Sequence, residues 1–188
     1  MKQLLIVMCV LCLASAGMAQ VDEKAIMGDS EPGIRSPTVD SYTGLLWEAS
    51  PVWNRIYGNA VDTACNASMS DSSLDGQYYE VIPIQVTAAE NLECEITLFT
   101  GADTVMALYC DPFDPANPMA NVVAYDDDDG WTPLSAFLAS DNISLSPGNT
   151  YYLVVSTFNP LDWGTFTVDF TSATVVVVPV ELQSFSVE

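Results

Sequence analysis

The sequence predicts an all-β domain, an antiparallel β-sandwich of jelly-roll-like form with about eight strands. Three observations carry this. Apolar and polar residues alternate with period two over most of residues 41–172, as they do where successive side chains point to opposite faces of a sheet. Turn formers punctuate the apolar runs at Gly101-Ala102-Asp103, Asp111-Pro112, Pro115 to Pro118, Pro147-Gly148-Asn149 and Asn159-Pro160. No stretch shows the 3.6-residue period of an amphipathic helix. Closely spaced strands of this kind bury one face of each sheet by packing two sheets together.

In chain order, the expected strands begin at Tyr42 to Glu48. Next come the alternations Tyr78, Ile82, Ile84, Val86 and Leu92, Cys94, Ile96, Leu98. Met106 and Leu108 mark a further strand, as do Val122 and Ala124, then Ile143 and Leu145. Tyr151, Leu153, Val155 and Phe166, Val168, Phe170 complete the set. Ser68, Ser70, Ser72 and Ser73 read as a loop or linker. Residues 173–188 read as a last edge strand or an extended tail.

The termini differ from this domain. Lys2, the apolar run Leu4 to Leu13 and small residues Gly17 and Ala19 before Gln20 form a signal-peptide pattern over residues 1–19. The apolar run is too short to cross a bilayer. Residues 20–39 are turn-rich and read as a flexible segment ahead of a domain at 40–172. The expected product is secreted or cell-surface, with no transmembrane segment in its mature form.

Formal net charge is −21, from 4 basic and 25 acidic residues. Loss of Lys2 on cleavage would make it −22. Such a surface repels phosphate backbones, which argues against nucleic acid, and it favours cations. The 49% hydrophobic content still supplies a core. There is no His, so the usual general base is missing and the serines have no triad partner. No pair of carboxylates is singled out for a hydrolase. The expected function is therefore that of a non-catalytic binding or structural module, with a carbohydrate- or matrix-binding accessory module of a separate secreted enzyme as the alternative and a carboxylate-dependent hydrolase as the rival class.

Cys65, Cys94 and Cys110 lie beyond the signal pattern. They allow one disulfide in three pairings. Cys94 sits in a strand pattern as a small core residue, which favours Cys65 with Cys110 in an exported chain.

Asp126-Asp127-Asp128-Asp129-Gly130 is the most distinctive local feature. Four consecutive carboxylates repel one another. If Thr104–Tyr109 and Asn121–Asp126 form a hairpin with Tyr109 opposite Asn121, Asp103 falls beside Asp127. In an up-and-down run, the loops at 101–103, 126–133 and 159–163 share one end, which brings in Asp162. Oxygen ligands suit Ca²⁺. The candidate site is Asp103, Asp126, Asp127, Asp128 and Asp129, with Asp162 peripheral. The alternative is a solvated acidic loop. It is not an EF-hand, because Tyr125 and Ala136 occupy the first and last ligand positions counted from Gly130. Trp47, Trp53, Trp131 and Trp163 invite a sugar-binding reading, with Trp131 and Trp163, near the acidic tip, as candidate contacts for a polysaccharide or protein matrix, against a plainer role of all four in core or rim packing.

Asp103-Thr104-Val105-Met106-Ala107-Leu108-Tyr109, Phe113-Asp114-Pro115-Ala116-Asn117-Pro118 and Val122-Val123-Ala124-Tyr125-Asp126-Asp127-Asp128 together resemble bacterial pre-peptidase C-terminal-like domains. So do Leu145-Ser146-Pro147-Gly148-Asn149-Thr150-Tyr151-Tyr152-Leu153-Val154-Val155 and Gly164-Thr165-Phe166-Thr167-Val168. The resemblance covers roughly residues 75–172. It implies a jelly-roll-like sandwich acting as an accessory, adhesive or substrate-binding module of secreted proteins. It also implies Ca²⁺ at acidic residues such as Asp126 to Asp128. A role in protease maturation is not expected, since no peptidase segment accompanies the module in this sequence. Pro179 to Glu188 is similar to segments near the C-termini of exported bacterial proteins.

Overall fold

The computed structural model describes residues 41–131 and 133–178. The expected signal peptide, the 20–39 segment and the 179–188 part of the tail lie outside the described residues. The described chain forms twelve strands: β1 (Ser41–Leu46), β2 (Val52–Tyr57), β3 (Ser70–Val86), β4 (Glu90–Asn91), β5 (Cys94–Phe99), β6 (Thr104–Cys110), β7 (Val122–Asp126), β8 (Ala136–Phe137), β9 (Ser144–Leu145), β10 (Tyr151–Thr157), β11 (Gly164–Phe170) and β12 (Val175–Val177). The first sheet runs β1-β11-β5-β8. The second runs β12-β3-β10-β6-β7, with β2 also on β3, and β4 pairs β9. All pairings are antiparallel.

The period-two pattern is plainest in β11, where Phe166, Val168 and Phe170 are buried and Thr165, Thr167 and Asp169 look outward. The inward residues of both sheets, among them Leu46, Ile82, Ile84, Ile96, Met106, Leu108, Leu153 and Phe166, form the core between them. Cys94 lies in this core as a free, buried thiol.

Three sequence expectations need correction. Strand β2 was not foreseen, because Arg55 occupies a buried position in it and two register shifts interrupt its pairing with β3. The serine segment is not a loop from Ser70 onward. It is the exposed first half of the 17-residue β3, held by β2. The β6–β7 register is shifted: Met106 pairs Asp126 and Tyr109 pairs Val122, with an irregularity between Leu108 and Tyr109. An extra residue in one strand slides all later partners. Of the two readings of residues 173–188, the edge strand is present as β12, whose Val175 and Val177 pair Val86 and Ile84.

A second apolar layer covers the outer face of the second sheet. Trp53 and Ile56 of β2, with Ala67, lie over Tyr79, Val105, Ala107, Tyr109, Val122 and Val154. This is why β6 is buried on both faces and reads as an apolar run rather than an alternation. Trp53 Nε1 donates to Ser156 Oγ at 2.9 Å, which satisfies the indole inside this layer. Cys65 and Cys110 form a disulfide that ties the segment after β2 to the end of β6. That segment also lies along β7: Asp62 N–H donates to the Val123 carbonyl and Ala67 N–H to the Val122 carbonyl, both at 2.9 Å.

Candidate functional site: the acidic tip

Three connections cross between the sheets at one end of the sandwich: β5 to β6, β7 to β8 and β10 to β11. They are bonded to one another. Thr104 N–H donates to the Pro133 carbonyl at 3.4 Å, and Phe158 N–H donates to the Asp103 carbonyl at 3.3 Å. Ala102 N–H donates to Asp162 Oδ2 at 2.9 Å. The three loops do share an end, as expected, but because each is an arch from sheet to sheet rather than one turn of an up-and-down run.

The arches bring Asp103, Asp127 and Asp128 together, with one oxygen of each within 4.8 Å of the others. Asp103 Oδ1 and Asp127 Oδ1 are buried and accept no hydrogen bond. An acceptor left so is costly unless a cation or water meets it. A cleft of about 400 Å³ opens alongside, lined in part by Tyr57, Asn59, Asp127, Asp128, Phe137 and Asp141.

The other expected ligands have different positions. Asp126 Oδ2 accepts the N–H groups of Asp129 at 3.2 Å and Ala136 at 2.8 Å. It brackets the loop onto the start of β8 and is not part of the three-carboxylate group. Asp129 is likewise outside that group, on the cleft wall. Asp162 is a positioning residue. Its Oδ2 holds Ala102, and its Oδ1 accepts the Trp163 N–H at 2.9 Å.

Arg55 is the residue that sequence reasoning missed. Among the described residues it is the single basic side chain, and it is buried. Its Nη1 donates to Tyr125 Oη at 2.9 Å and lies 3.8 Å from Asp127 Oδ2. Its guanidinium stacks over the Phe158 ring at 4.1 Å. Three carboxylates and one guanidinium leave a formal −2 at the cluster, which a divalent ion would neutralise. A basic residue inside a strand with broken alternation was the available signal.

Burial, and then the charge of Asp128, pushes the carboxyls of Asp103 and Asp127 up from 3.8 to about 6. Burial does the same to Asp126, also to about 6, against the lowering effect of the Ala136 and Asp129 hydrogen bonds. Each folded-state value lies above the unfolded one, so the fold favours the protonated form. The associated penalty is absent below the unfolded value, grows as pH rises from about 4 to 6, and is complete above that. In metal-free buffer, lowering the pH from 7.5 to about 5 is therefore expected to raise the melting temperature. The Asp103→Asn variant should show a smaller rise. A flat or falling profile over this window would contradict the assignment.

Trp53 is core, whereas Trp131 and Trp163 are 82% and 61% exposed. Trp131 N–H donates to Glu95 Oε1 at 3.2 Å, which ties it to the β5 flank. No helix among the described residues is long and apolar enough to cross a membrane. No family model matches the chain, and neither a curated protein nor a solved structure matches it.

Proposed function

We propose that this chain is an exported, non-catalytic binding or structural module of the pre-peptidase C-terminal-like kind, whose tip is organised by Ca²⁺. The observation that carries the ion is the pair of buried, unpartnered oxygens on Asp103 and Asp127, converging with Asp128. Carboxylate oxygens suit a hard cation, and the cleft beside them gives it a way in. The signal-peptide pattern and the disulfide support export. A sequence without His supports a non-catalytic role.

Calorimetric titration at pH 7.5 tests the ion. One site is expected, with Kd of about 10⁻⁴–10⁻³ M, the range of extracellular Ca²⁺ modules. The melting temperature should rise in step with occupancy. The Asp127→Asn variant should lose both responses. Absence of heat together with an unchanged melting temperature in millimolar Ca²⁺ would overturn the reading.

A further inference from the structure

The outer face of the first sheet carries exposed aromatic and aliphatic side chains that the acidic tip does not use. On β1 the outward residues are Ser41, Thr43 and Leu45, and on β11 they are Thr165, Thr167 and Asp169. Thr43 and Thr167 pair across the strands and their hydroxyls meet at 3.1 Å. Leu45 and Leu98 are exposed beside them. The β1–β11 pairing ends at Leu46 opposite Gly164. Trp47 follows the last paired residue of β1 and Trp163 precedes the first of β11, so both stand at this end of the pair. Both rings are accessible, Trp47 at 49% and Trp163 at 61%. Both backbones are fixed by side chains: Trp47 N–H donates to Ser50 Oγ at 3.1 Å and Trp163 N–H to Asp162 Oδ1 at 2.9 Å.

We propose that this face, at its Trp47–Trp163 end, binds a neutral polysaccharide chain. A pyranose ring has a C–H face that covers an aromatic ring and an edge of hydroxyl donors. Here the rings and Leu45 take the first, and the hydroxyls of Thr43, Thr165 and Thr167 take the second. Charge selects among occupants. With Arg55 buried as the single basic side chain among the described residues, and a chain charge of −21, the face repels anionic polymers and a second copy of the chain. A dry protein interface is disfavoured by the threonine rows that interrupt the apolar groups.

The inference rests on the chain being a binding module and names the ligand class and surface. Full-length protein is incubated with insoluble cellulose, chitin, xylan and starch, in EDTA and in Ca²⁺, and the depleted supernatant is measured. Retention on at least one polymer is expected. Trp47→Ala and Trp163→Ala should each bind about tenfold more weakly, the loss of one ring's buried area, with unchanged melting temperatures. Trp47→Tyr should keep most of the binding, and Trp131→Ala should match the wild type. No retention on any polymer, sedimentation without polymer, or equal retention of the alanine variants would overturn the proposal. Release of reducing sugar would instead overturn the non-catalytic reading and leave the binding face standing.

Discussion

Replacing Cys65 and Cys110 together with serine is expected to lower the unfolding free energy by about 4 kcal/mol, the chain-entropy value for a closed loop of this length. The bridge spans 45 residues. The closed loop contains all of β3, β4 and β5, and β6 up to its end, so the unfolded chain gains a large freedom when it opens. There is a folded-state loss as well. The segment after β2 is held to β7 by the two backbone bonds from Asp62 and Ala67, and it contributes Ala67 to the apolar layer over the second sheet. Urea denaturation of the double variant checks this through its midpoint. Wild type in reductant should follow the variant. A shift below about 1 kcal/mol would mean that the unfolded chain is already constrained in this region.

Arg55→Met is expected to cost about 2–4 kcal/mol in metal-free buffer at pH 7.5, as when one partner of a buried charged pair is removed. Three contacts disappear: the bond to Tyr125 Oη, the approach to Asp127 and the stacking on Phe158. One gain offsets part of the loss, since Arg55 Nε has no partner and methionine has no donor to satisfy. The electrostatic consequence separates this from a packing defect. Without the guanidinium the cluster carries −3 instead of −2, so Ca²⁺ should raise the melting temperature of the variant more than that of the wild type. Thermal melts in EDTA and in Ca²⁺ measure both effects. An equal or smaller Ca²⁺ response in the variant would show that Arg55 and the ion do not share the same carboxylates.

The sandwich was legible wherever a strand has one wet face and one dry face. β11 alternates without a break, and its inward residues were named from sequence. The same logic failed for β2, where bulges and a buried arginine scramble the period. It failed for the first half of β3, whose polar residues are strand only because β2 lies beside them. The acidic site was half legible. The run of four aspartates announced a strained loop, but composition cannot say which carboxylates turn toward backbone donors. Asp126 does so, while Asp127 and Asp128 meet Asp103. Arg55 escaped because its partners, Tyr125, Asp127 and Phe158, are 70 or more residues away in sequence, and only the tertiary fold joins them. Trp47 and Trp163 were named as separate aromatics, and only the register of β1 with β11 sets them at one end of a sheet.

The strap that Asp62 and Ala67 lay along β7 has a consequence for behaviour in crowded solution. A bare outermost strand is a template on which neighbouring molecules can zip their own backbones. Here two carbonyls of that strand are already spoken for. Self-assembly into fibrils is discouraged by a covered rim as well as by mutual repulsion, and reducing conditions would strip away the first safeguard while leaving the second.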